Sequence, residues 1–126
     1  MIKVLLVDRS ELILKTASAM LSHYPDIEVI GAVSALPDAI QVIEEFIPDV
    51  TVLDLSMMDR GPESAEQCRA LVENSRRVVC MSLLEEKDVK RLASLIGEAV
   101  CIDKMDLGSE LPKAIREVGV AVSAPN

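Results

Sequence analysis

Five short runs of apolar, largely β-branched residues punctuate the chain, and between them apolar residues recur at helical spacing. Ile2 to Val7 predicts a first buried strand that stops at Asp8, with Arg9 and Ser10 turning the chain into a helix. From Glu11 to about His23, the residues Ile13, Ala17, Met20, Leu21 and Tyr24 form the stripe of an amphipathic helix closed by Pro25-Asp26. Ile27 to Val33 predicts a second strand, which the polar Glu28 and the embedded Gly31 assign to a sheet edge. Ser34 to Pro37 opens a second helix striped by Ala39, Val42, Ile43 and Phe46, and Pro48 stops it.

The third run, Asp49-Val-Thr-Val-Leu-Asp-Leu, ends at Leu55 and reads as a strand buried on both faces, with Asp54 where it leaves the sheet. Gly61-Pro62 marks an irregular loop before a helix from about Glu63 to Asn74. Arg77 to Met81 predicts a fourth strand ending at Ser82, followed by a helix striped by Val89, Leu92, Ala93 and Ile96 that ends at Gly97. Ala99 to Ile102 predicts a fifth strand, then Asp103-Lys104, then a last helix striped by Leu111, Ala114, Ile115, Val118 and Val122. With Ser109 as its cap, Pro112 falls in that helix's first turn, where a missing amide is tolerated. Five strands alternating with five helices predict an α/β fold, a doubly wound five-stranded parallel sheet in the order 2-1-3-4-5. Residues 1–122 read as one domain and 123–126 as the start of a linker or a C-terminal tail.

Composition narrows the classes. The chain has 126 residues, half of them hydrophobic, enough for a full core in one domain. Its formal net charge of −8 disfavours phosphate backbones, so direct nucleic-acid binding by this segment is not expected. No apolar stretch reaches membrane-spanning length and no signal peptide is present, which predicts a cytoplasmic protein without membrane contact. Cys68, Cys80 and Cys101 lie far apart among apolar residues and read as reduced core thiols, with Cys101 a small core side chain rather than a redox sensor. The single His23, on a helix end, reads as a surface residue, and neither a dinucleotide fingerprint nor a phosphate-binding P-loop occurs.

Ligands of such sheets collect at the carboxyl edge of the strands, where this topology gathers Asp8, Asp54, Ser82 and Lys104. Each has a plain reading as well: Asp8 and Asp54 as turn carboxylates, Ser82 as the cap of Ser82-Leu-Leu-Glu85, Lys104 as a solvated lysine. Together they resemble the receiver domain of two-component response regulators, over essentially the whole chain. Pro25-Asp-Ile-Glu-Val-Ile-Gly-Ala resembles the NarL/LuxR-type subgroup, whose receivers usually precede a helix-turn-helix DNA-binding domain.

The resemblance implies a CheY-like, flavodoxin-like (βα)5 fold and a signalling rather than an enzymatic role. It casts Asp54 as phosphoacceptor from a sensor histidine kinase and Lys104 and Ser82 as its supports. It further implies Mg²⁺ held by Asp8, Asp54 and the backbone carbonyl of Ser56, and output through the fourth helix, fifth strand and fifth helix, with a homodimer as one outcome. Arg9 stands where the family usually has a second metal-binding acid, which weakens the metal site. At an effective dielectric near 20, unit charges ~4 Å apart interact by about 4 kcal/mol. Arg9 is therefore expected to pair with Asp8 or Asp54 in place of the metal's charge, or to mark a pseudo-receiver that signals by binding alone. An aspartate-dependent phosphatase, which also places an Asp after a parallel strand, needs a second acid where this chain has Ser56.

Overall fold

The computed structural model of the chain describes all residues except 59–60, 84, 96, 98–99 and 124–126, and the side chains of 120–123. Strands β1 (Ile2–Val7), β2 (Ile27–Val33), β3 (Val50–Asp54), β4 (Val78–Ser82) and β5 (Val100–Asp103) alternate with helices α1 (Glu11–Leu21), α2 (Leu36–Phe46), α3 (Pro62–Asn74), α4 (Glu86–Leu95) and α5 (Leu107–Ser123). The strands form one parallel sheet in the order β2-β1-β3-β4-β5, as the alternation predicts.

Each inner strand is apolar at successive positions because both faces are covered. Val4, Leu6, Val50, Val52, Val79 and Met81 meet α1 and α5 through Leu14, Ala17, Leu21, Leu111, Ala114 and Ile115. On the other face Leu5, Val7, Leu53 and Cys80 meet α2, α3 and α4 through Ala39, Ile43, Cys68, Leu71 and Leu92. Thr51, inside β3, is fully buried, its hydroxyl 3.1 Å from Ser75 Oγ, whose own proton goes to the Leu71 carbonyl. β2 is an edge strand, and its register against β1 slips by one residue at Ile30, a bulge that bends the exposed edge.

Local chemistry sets most helix ends. Ser10 caps α1 by accepting from the Ile13 amide, and Gly61, at φ +109°, turns the chain into Pro62 and α3. α2 ends on Ile47 in the left-handed region, φ +48°, with its N–H on the Ile43 carbonyl and Pro48 following. At the amino edge of the sheet, Arg116 of α5 donates two 2.8 Å hydrogen bonds to Asp26 and stacks 4.8 Å over the Tyr24 ring. That pairing holds the Asp26 carboxyl below its usual range and the guanidinium above its own.

Several sequence expectations need correction. Phe46 is exposed, because α2 buries Leu36, Ala39 and Ile43 and leaves its last turn outside the core. Ser82 is the last residue of β4, not a helix cap: α4 starts at Glu86, and the Glu85 carbonyl accepts from the amides of Asp88 and Val89. Ser109 is not a cap either. α5 starts at Leu107 behind a 3₁₀ turn capped by Asp103, which places Pro112 inside the helix, and Ser109 Oγ donates to the Asp106 carbonyl. β5 begins at Val100, and the expectations at Arg60, Ile96, Ala99 and 124–126, and for the Val122 side chain, lie outside the described residues. No helix among the described residues is long and apolar enough to cross a membrane.

Candidate functional site

Asp8 follows the last residue of β1, and its amide donates to the Val33 carbonyl, so the end of β2 fixes the turn. One carboxylate oxygen, Oδ1, accepts the Ser10 amide at 2.8 Å. Asp54 is the last residue of β3, and buried Leu55, Met57 and Met58 tuck the following 3₁₀ turn under the sheet edge. β1 and β3 are neighbours, so both acids emerge side by side, 1% and 3% exposed.

Lys104 closes the group. Its ammonium lies 2.6 Å from Asp8 Oδ2 and 3.3 Å from Asp54 Oδ1, with the side chain only 8% exposed. Residues from β1, β3 and the end of β5 thus meet in one water-poor pocket, where a charge pair is stronger than at the surface and more costly to break. Ser82 ends β4, buried, in register with Asp103.

Ser56 contributes more than its carbonyl. Its amide donates to Asp54 Oδ1 at 3.1 Å, and its hydroxyl lies 2.9 Å from each Asp54 oxygen. Sequence reasoning missed this side chain; the signal available was a hydroxyl two residues after a turn carboxylate. Arg9 is a correction. It is exposed, and among the described residues it forms no ion pair with Asp8 or Asp54; Lys104 occupies that position. Leu83, beside Ser82, and Met105, beside Lys104, are exposed apolar residues at the rim.

The donor set fits a magnesium ion in reduced form. Asp8 Oδ2 is buried 2.6 Å from the Lys104 ammonium, with no other hydrogen-bond partner among the described residues, and Asp54 adds a second carboxylate. Mg²⁺ commonly uses one or two carboxylates with phosphate and water, so two suffice, and the exposed Arg9 adds no cation between them. Among the described residues no cluster of three or more His, Cys, Asp or Glu side chains could hold a metal unaided.

No family model matches the chain. It is 35% identical over 117 residues to the response regulator protein VraR of Staphylococcus saprophyticus, covering 92% of this chain and 56% of that protein. It is 34% identical over 119 residues to the transcriptional regulatory protein LiaR of Bacillus subtilis, covering 92% and 55%. The response regulator domain of Thermotoga maritima CheB superimposes with a TM-score of 0.77 at 22% identity, covering 94% of this chain and 96% of that one. The signal receiver domain of NarL from Mycobacterium tuberculosis gives 0.71 at 21%, covering 91% and 96%. Sheet order, the acids on neighbouring strands and these relatives agree: the chain belongs to the response regulator receiver domains, signalling domains rather than enzymes. The chain spans about half the length of the curated relatives it matches. Within the family it falls with the receivers of NarL/LuxR-type regulators such as VraR, LiaR and DevR.

Proposed function

We propose that Asp54 accepts a phosphoryl group from the phosphohistidine of a sensor histidine kinase. The observation that carries this reading is the Lys104 ammonium held between Asp8 and Asp54, a positive charge where phosphoryl oxygens would arrive. An Asp54 oxygen attacks phosphorus, the phosphorus–nitrogen bond breaks, and the imidazole leaves with the bonding pair. Lys104 moves from carboxylate to phosphoryl oxygen, and Ser82 donates its hydroxyl to another, which draws the segment behind β4 toward the site. Asp8, Asp54 and the Ser56 carbonyl are the residues that would hold Mg²⁺, whose charge neutralises the transferring oxygens when it is bound. The readout surface is α4, β5 and α5, with homodimerisation or a fused helix-turn-helix domain as its destination. DNA contact then belongs to that domain, because this segment is acidic.

A second reading, binding without phosphorylation, is favoured by the Asp8-Arg9 pair, which leaves the site one acid short. Acetyl phosphate with Mg²⁺, read by intact mass, separates the two. One phosphoryl adduct on the wild type, absent from Asp54→Asn and formed about 100-fold more slowly by Lys104→Ala, is the expected result. No adduct on the wild type, or the same adduct on Asp54→Asn, overturns the phosphoacceptor reading.

A further inference from the structure

Cys80 and Cys101 are register partners on the adjacent parallel strands β4 and β5. In-register residues project to the same face, and both pack into the core beside Leu92 of α4. Adjacent strands lie ~4.8 Å apart, within the roughly 4.4–6.8 Å between Cα atoms that a disulfide spans. Both thiols are free. They differ in access. Cys80 is fully buried, whereas Cys101 is half-buried and walls an open cleft of about 220 Å³ with Ser82, Glu86, Val89, Ile102 and Asp103.

The two thiols also feel each other: Cys101 and burial together push Cys80 up, while Cys80 draws Cys101 down, which leaves Cys101 the more readily ionised of the two. Cys68 on α3 is different: fully buried, it is pushed up to about 11 by burial and by the charge of Asp54. A lone buried thiol of that kind is inert.

We propose that Cys101 and Cys80 form an oxidant-responsive pair, in which Cys101 reacts with a small neutral peroxide entering the cleft and Cys80 resolves the product as an intramolecular disulfide. The Cys101 thiolate attacks one peroxide oxygen, the oxygen–oxygen bond breaks, and the leaving hydroxide takes up the thiol proton as water. Cys80 sulfur then attacks the sulfenic sulfur, the sulfur–oxygen bond breaks, and a second water carries off the Cys80 proton. Two thiols are oxidised by two electrons and one peroxide is reduced to two waters.

Glu86 and Asp103 line the cleft, so anionic oxidants are disfavoured against hydrogen peroxide. Val89 of α4 lines the same cleft, which places the change directly under that helix.

The test exposes the reduced chain to graded hydrogen peroxide, then alkylates remaining thiols in denaturant for intact mass and peptide mapping. The expected product has lost two hydrogens, carries a Cys80–Cys101 link, keeps Cys68 alkylatable, and returns to the dithiol with dithiothreitol. In Cys80→Ser, dimedone is expected to trap a sulfenic acid on Cys101. In Cys101→Ser, oxidation of Cys80 is expected to slow by at least about tenfold. Thermal unfolding of both variants confirms that they are folded, and oxidised glutathione is expected to react more slowly than peroxide. Asp54→Asn is expected to oxidise like the wild type, so this outcome is independent of the phosphoacceptor reading. Oxidation of Cys68 as fast as Cys101, a purely intermolecular link, or three alkylatable thiols after a dose that oxidises free cysteine overturns the proposal. Faster reaction with oxidised glutathione overturns the class of oxidant.

Discussion

The Ser56 hydroxyl lies 2.9 Å from each oxygen of Asp54, and its one proton draws electron density from the carboxylate and so weakens it as a nucleophile. A hydrogen bond to a charged group contributes about 1.5–3 kcal/mol, and part of it is lost when the oxygen attacks. Ser56→Ala is accordingly expected to accelerate phosphorylation by acetyl phosphate by several-fold, up to about tenfold, as followed by intact mass over time.

Cys68 gives a second residue-scale expectation. Burial, then the Asp54 charge, raises its thiol from 9.0 to about 11, so the folded state keeps a proton that the unfolded chain releases first. Stability from this source is fully present below about pH 9 and is lost as pH rises toward about 11, by up to ~3 kcal/mol. Urea midpoints measured across that window should fall more steeply for the wild type than for Cys68→Ala. Neither contact was legible beforehand. Type and spacing bring Asp8, Asp54 and Lys104 to one edge, but a hydroxyl's direction, or two cysteines in register, depends on how the strands align.

At the scale of elements, the strands were readable because a strand covered on both faces has no polar side to disguise it. β2, with only partial cover, was correctly placed at the edge by its Glu28 and Gly31. Helix starts were less legible. The Ser82-Leu-Leu-Glu85 pattern satisfies a capping box, yet β4 pairing with β5 retains Ser82 in the sheet; Ser109 fails for a similar reason, because Asp103 starts a 3₁₀ turn earlier. Helix ends allow a sharper expectation. Ile47 is 57% exposed and sits at φ +48°, a conformation that costs a side chain with a Cβ roughly 1–2 kcal/mol. Glycine removes that strain at an unfolded-state cost of about 0.5–1 kcal/mol. Ile47→Gly should therefore stabilise the domain by up to about 1 kcal/mol, seen as a higher urea midpoint at unchanged slope.

Across the whole molecule, the sheet separates two ends with different work. The carboxyl edge collects Asp8, Asp54, Ser82 and Lys104, while the amino edge is fastened by Arg116 across Asp26 and Tyr24. The chain has one tyrosine and no tryptophan, so nearly all of its near-ultraviolet emission originates at that fastened end. An optical signal from Tyr24 is thus a gauge of whether α5 remains seated against the start of β2. It should change sharply on denaturation, giving a built-in stability readout, and any smaller change during treatment with acetyl phosphate would report α5 shifting as part of the readout surface.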